Sequence, residues 1–231
     1  MLALILISSS LPTSLAAGEG VDVEIFLLTP FGTPMVGAVV EVTRPDGVTV
    51  MRVADAWGRI IVRSVPLGVV SEVTVLSWKG MPVDYKVRWV SSGTIVVERI
   101  GKLTVRVVGT RGQSLEGAEV KITRLGEVEA MVEMVDYAGP GGMLAIELPE
   151  GRYCIEAKKA GRAYSRTVQV NGGKNTLLTL MLDIFASIFG WEVSLADFIG
   201  LLLLIFVVAL IIAITAHEYL AWRRRRLYTR L

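Results

Sequence analysis

Cysteine, histidine and side-chain amides are nearly missing from this chain of 231 residues. Cys154 is the one cysteine, so no intramolecular disulfide can form and apolar cores must hold the fold. His217 is the one histidine, and without a nearby cysteine or second histidine it makes no metal site. Because it lies close to the C-terminus, it leaves the first two hundred residues without a Ser-His pair. Asparagine occurs only at 171 and 175 and glutamine only at 113 and 169, a depletion that suits a thermophilic, archaeal source. Neither asparagine begins an Asn-x-Ser/Thr sequon. Gly139-Pro-Gly-Gly142 lacks the Lys-Ser/Thr that completes a phosphate loop. Asp46, Asp55 and Asp136 stand at turn signals outside any Asp-x-Asp-x-Asp-Gly loop, and read as caps of their own turns. No catalytic residue, metal ligand or cofactor-binding residue can be assembled, and an enzyme is not expected.

Charge is scarce where a nucleic-acid binder would need it. The net charge is +2, but five of the 24 basic residues, Arg223, Arg224, Arg225, Arg226 and Arg230, lie near the C-terminus. Residues 18–197 then hold 19 basic and 21 acidic side chains, a balance of −2 that gives no electrostatic case for nucleic acid.

What is present is a long apolar run. Phe198 to Ala216 is uncharged, and as a helix it would rise roughly 28 Å, close to the thickness of a bilayer's hydrocarbon. The arginine cluster after it predicts a cytoplasmic C-terminus and an exterior for everything before residue 198. Trp222 with Arg223, Arg224, Arg225 and Arg226 is the expected inner anchor, and Trp191 the outer one. Ser194 and Asp197 form a Ser-x-x-Asp capping signal ahead of the span. Ile184, Phe185, Ile188, Phe189 and Val193 recur at helical spacing, which predicts a helix in this juxtamembrane segment. Residues 2–7 are apolar and small residues follow to Ala17, the pattern of a cleaved secretory signal over 1–17.

The region between these segments repeats. Gly32, Met35, Gly37, Ala38, Val40, Val42, Thr43 and Arg44 match Gly112, Leu115, Gly117, Ala118, Val120, Ile122, Thr123 and Arg124 at a constant offset of 80. Asp55-Ala-Trp-Gly58 is matched here with Asp136-Tyr-Ala-Gly139, and Val65-Pro-Leu-Gly68 with Leu148-Pro-Glu-Gly151. Short alternating β-branched runs separated by turn signals predict about seven strands per copy. The fold class is all-β: two tandem antiparallel β-sandwiches, prealbumin-like or Ig-like, plus one C-terminal transmembrane helix. The expected domains are 1–17, signal peptide; 18–100 and 101–182, the two sandwiches; 183–197, juxtamembrane segment; 198–216, span; 217–231, basic tail. The short junction near Ile100-Gly101 is expected to make a stiff rod.

The order Gly, Leu, Gly-Ala-x-Val, then Asp-x-x-Gly, then Leu-Pro-x-Gly-x-Tyr, carried in the second copy by Gly112, Leu115, Gly117-Ala-Glu-Val120, Asp136, Gly139 and Leu148-Pro-Glu-Gly-Arg-Tyr153, resembles the prealbumin-like modules of carboxypeptidase regulatory-like domains and of the B-type repeats of bacterial collagen-binding adhesins. The first copy departs from it, with Val70 where the tyrosine would stand. The resemblance implies a sandwich fold and no particular activity. Some such adhesin repeats carry a Lys-Asn isopeptide bond. Lys102 with Asn171 or Asn175, and Glu119 or Glu147 as the acid, are the matching residue types here, but Lys102 reads as a solvated edge residue. Cys154 is expected to point outward beside core-facing Tyr153 and Ile155. Trp57, Trp78 and Trp89 are the aromatic candidates for a binding face.

The function these features support is a non-enzymatic type I membrane-anchored binding or structural module of the cell envelope. Membrane lipid and an envelope or surface-layer protein are its expected partners. The alternative is an accessory subunit of a membrane complex, docking through residues 183–216.

Overall fold

The computed structural model describes residues 20–126, 130–188 and 191–228. The expected signal peptide at 1–17 lies outside them. The chain divides after Ile100 into two compact units.

Unit one holds seven strands: β1 (Val21–Leu28), β2 (Val39–Thr43), β3 (Thr49–Val53), β4 (Arg59–Val65), β5 (Val70–Trp78), β6 (Met81–Val90) and β7 (Gly93–Val96). They form a three-stranded sheet, β4-β1-β7, and a four-stranded sheet, β3-β2-β5-β6. Val23, Ile25 and Leu27 of β1 face Val40, Val42, Val73 and Val75 of the other sheet's strands in one buried cluster. Strict alternation creates it, since β1 is exposed or half-exposed at every intervening position.

Unit two repeats the plan with β8 (Ile100–Val108), β9 (Glu119–Leu125), β10 (Ala130–Tyr137), β11 (Met143–Pro149), β12 (Gly151–Lys159), β13 (Arg162–Val170) and β14 (Asn175–Met181). Its sheets are β11-β8-β14 and β10-β9-β12-β13, the same order as in unit one. The fold is therefore an all-β sandwich, present twice. One feature departs from a purely antiparallel sandwich. In each copy the first and last strands, β1 with β7 and β8 with β14, pair in parallel. The last strand enters at the same end as the first, so it can close the small sheet only in that direction.

The offset of 80 survives in the backbone. Met35 and Leu115 donate to the carbonyls of Leu27 and Val107, each at 3.0 Å, and Gly37 and Gly117 donate to those of Ala54 and Ala138. The Asp-x-x-Gly match does not survive. Asp136 lies within β10, opposite Val120. The counterpart of Asp55 is Gly139, because Gly58 donates to the Asp55 carbonyl as Gly142 does to that of Gly139. Gly58 and Gly142 share a reason for being glycine. Their backbones are left-handed, at φ +70° and +67°, and a Cβ would come within 2.6 Å of the Leu27 oxygen or 2.5 Å of the Val107 oxygen.

The juxtamembrane helix expected over 183–193 is not formed in the described residues of that segment, outside which Phe189 lies. Residues Ala186–Ile188 (β15) and Trp191–Val193 (β16) pair as antiparallel strands. Ile184 is buried in unit two instead of facing a lipid surface, and its carbonyl accepts from the Thr110 amide at 3.0 Å. A short apolar run fits either period, and here the sandwich's need to cover its end decides.

One helix follows, α1 (Leu195–Tyr228). Within it Leu195–Arg223 is long and apolar enough to cross a membrane. It begins three residues before the apolar run, as its cap dictates, and continues past His217 into the arginine cluster.

Candidate functional site: the base of the second sandwich

The best-defined polar constellation among the described residues lies where unit two meets α1. Ser194 and Asp197 form the capping box read from their spacing. The Ser194 hydroxyl accepts from the Asp197 amide at 3.1 Å, and the Asp197 carboxylate accepts from the Ser194 amide at 3.3 Å and from its hydroxyl at 2.7 Å. Two of the helix's otherwise unpaired amides are satisfied in this way.

The same carboxylate also accepts from Arg162 of β13 at 2.8 Å. Lys159, at the end of β12, pairs with Glu192 of β16 at 2.9 Å and also donates to the Glu116 carbonyl. The Lys159 and Glu192 side chains are largely shielded from solvent, so removing either partner would leave the other charge partly buried and uncompensated. Phe185 packs against Phe198 in the first turn of α1, with ring centroids 5.4 Å apart and planes tilted by 38°, and the Arg111 guanidinium lies 5.3 Å from the Phe185 ring centroid. Gln113 fixes Phe185 from behind, donating to the carbonyls of Ile184 at 2.7 Å and Phe185 at 3.3 Å. The helix and the segment leading into it are thus joined to the sandwich by two ion pairs, a tilted ring pair and a backbone clamp. The two ion pairs span 33 and 35 residues of sequence and the backbone clamp 71 and 72, and only the capping box is local enough to read directly.

The tryptophans proposed as one binding face separate. Trp57 and Trp89 are 71% and 72% exposed. Trp78 is 3% exposed, so it is a core residue and not part of a face. Its indole N–H donates to the Val36 carbonyl at 3.2 Å, and Lys79 lies over its ring at 4.5 Å. Trp57 is presented by a rigid turn, in which Asp55 accepts from the amides of Trp57 and Arg59 and pairs with the Arg59 guanidinium. These backbone hydrogen bonds hold the Asp55 carboxyl below its ordinary value. Trp89 sits at φ +56°, uncommon for an aromatic residue and the kind of backbone outlier that gathers at functional positions.

Trp191 is 79% exposed on β16 and Trp222 is exposed near the far end of α1 beside Tyr219, with ring centroids 6.1 Å apart. Arg223 is exposed as well. The side chains of Arg224, Arg225 and Arg226 lie outside the described residues.

Asp46 caps its own turn by accepting from the Val48 amide at 3.1 Å. No cluster of three or more metal-ligating side chains occurs among the described residues. Cys154 is half-buried on the outer face of β12, between Thr123 and Thr167 on neighbouring strands, while Tyr153 and Ile155 face the core as expected. Lys102 and Asn175 are register partners on the parallel pair β8–β14, on the side opposite core-facing Leu103 and Val105. The Asn175 side-chain oxygen accepts from the Thr104 hydroxyl at 3.2 Å. Tyr153 was legible only as a core residue. Its hydroxyl donates to the Pro149 carbonyl at 2.6 Å, pinning the Leu-Pro-x-Gly turn, and burial pushes its pKa up to about 12.

No family model matches the chain. No curated protein matches it either. Among solved structures it is similar to the Bacillus anthracis TIE protein at 18% identity and a TM-score of 0.30, over 69% of this chain and 33% of that one. A DUF3823 family protein from Parabacteroides merdae is similar at 20% identity and 0.31, over 36% of this chain and 45% of that one. A Streptococcal ancillary pilin is similar at 16% identity and 0.29, over 71% and 62%. The chain spans less than two thirds of each of these three proteins. At these TM-scores the likeness carries no weight for function.

Proposed function

We propose that the chain is a non-enzymatic, single-pass envelope protein whose two sandwiches stand outside the cytoplasm as a tethered structural or binding module. The observation that carries this reading is the welded base. An apolar helix of membrane-spanning length begins in a capping box whose acid is ion-paired to the sandwich above it. An anchor joined only to hold its cargo near a bilayer could use a flexible linker. Here the second sandwich is tied to the helix by an ion pair and a capping box, which suits a module seated directly on its anchor. The arginine cluster supports a cytoplasmic C-terminal end for the helix by the positive-inside rule.

The sandwiches offer ordinary routes to protein recognition. Trp57 and Trp89 present large apolar surface on fixed backbones in the first copy, and such rings are frequent interface anchors. An envelope or surface-layer protein is the partner class we assign to them, and lipid is the partner of α1. The test is affinity capture of the full-length protein from its native membrane in mild detergent, with identification of co-purifying proteins by mass spectrometry. A parallel capture uses a variant in which residues 183–216 are replaced by an unrelated span. Partners that persist in the variant and are lost on Trp57→Ala or Trp89→Ala support the tethered module. Integral-membrane partners that depend on the native 183–216 segment would instead make the chain an accessory subunit.

A further inference from the structure

We infer that the cleft between the Gly109–Gln113 turn and Phe185 binds the phosphate of an anionic lipid headgroup in the leaflet on which the second sandwich stands. This inference rests on the membrane-anchor reading above. The cleft is open, about 430 Å³, and lined by Arg111, Gly112, Gln113 and Phe185.

Position is the first argument. The two ring contacts together put the Arg111 guanidinium within about 11 Å of the Phe198 ring, in the first turn of the apolar helix. A headgroup layer adds roughly 5–8 Å on each side of the hydrocarbon. The guanidinium therefore lies at or just above headgroup level. Trp191, exposed three residues before the cap, marks the same level, where amphipathic rings are favoured.

Charge is the second argument. At this end of the sandwich Lys159 and Arg162 are neutralised by Glu192 and Asp197. Arg111 has no carboxylate within ion-pair distance among the described residues. Its attraction to the Phe185 ring restrains the guanidinium, so less freedom is lost when it forms two parallel hydrogen bonds to a phosphate. Gln113 cannot compete for the anion, since its amide nitrogen serves the Ile184 and Phe185 carbonyls and its oxygen accepts from the Arg111 amide at 3.0 Å. The Gly112 side of the cleft is open, with no atom within 4 Å of where a Cβ would stand.

The experiment uses full-length chains reconstituted into vesicles of phosphatidylglycerol and phosphatidylcholine, as wild type, Arg111→Gln and Arg111→Lys. Flotation comes first, then counting of retained phosphatidylglycerol by native mass spectrometry after gentle extraction. All three chains should float. Wild type should hold one phosphatidylglycerol about fivefold more often than Arg111→Gln, the factor for one cation near an anionic surface. Arg111→Lys should fall between them, because it keeps charge without the fork. Excess inorganic phosphate should not displace the lipid. Equal retention by wild type and Arg111→Gln overturns the headgroup site while leaving the anchor intact. Displacement by inorganic phosphate makes the cleft a free-anion site and overturns the lipid assignment. Failure of wild type to float overturns the anchor reading and this site with it.

Discussion

Tyr153→Phe separates two contributions of one hydroxyl. At neutral pH the substitution keeps the buried ring and removes the 2.6 Å hydrogen bond to Pro149, whose residue is itself buried. Losing one such bond and leaving the carbonyl unsatisfied costs about 1–2 kcal/mol. At alkaline pH the sign changes. The folded phenol's pKa is raised to about 12, above its unfolded value near 10. Its stabilising contribution is complete below about pH 10 and is lost as pH climbs toward 12, because the unfolded chain releases the proton first. Two pH units correspond to roughly 2–3 kcal/mol. The phenylalanine variant has no proton to lose at this position. Wild type should thus lead by about 1–2 kcal/mol at pH 7 and lose that lead by about pH 12. The assay is urea unfolding of the full chain in detergent, read by pulse proteolysis so that the two sandwiches give separate bands. Only the second should respond. A neutral-pH difference below about 0.5 kcal/mol, or parallel pH profiles for the two proteins, would refute the reasoning.

Gly142→Ala should destabilise the second sandwich by more than about 2 kcal/mol, because strain and a backbone clash combine. Gly117→Ala, equally left-handed but facing open space, should cost only about 1–2 kcal/mol, and urea midpoints measure both. Trp78→Ala should cost the first sandwich about 3–5 kcal/mol, whereas Trp57→Ala should leave its melting temperature nearly unchanged. Ser194→Ala should raise hydrogen exchange at the first amides of α1 about fivefold, the equivalent of about 1 kcal/mol of lost capping.

Local signals were the legible ones. The paired Gly-x-x-Leu/Met-x-Gly-Ala turns stood out because both copies keep the same spacing, and Ser194-x-x-Asp197 because a capping box is contained in four residues. The Asp-x-x-Gly match failed for a definable reason. The second copy is four residues longer between Gly117 and its close-approach glycine, Gly142, than the first is between Gly37 and Gly58. Asp136-Tyr-Ala-Gly139 then imitates the motif from inside a strand. What makes Gly58 and Gly142 equivalent is the carbonyl each approaches, and that is not written in neighbouring residues. The juxtamembrane segment was misread because Ile184, Phe185 and Ile188 fit a helical stripe as well as a strand, and the partners that decide, Thr110 and Gln113, are over seventy residues away. Trp78 could not be told from Trp57 and Trp89 by composition, since only the sheet's facing tells which ring is inside.

The central claim is that both sandwiches stand on the outer side of a membrane crossed by α1. Protease shaving of intact cells, followed by alkaline carbonate extraction, tests it most directly. The account predicts that the sandwiches are digested or released from intact cells. A fragment carrying α1 and the tail from His217 onward should stay in the carbonate-resistant membrane until the cells are lysed. Tail digestion with protected sandwiches, or a full-length chain released by carbonate, would contradict it.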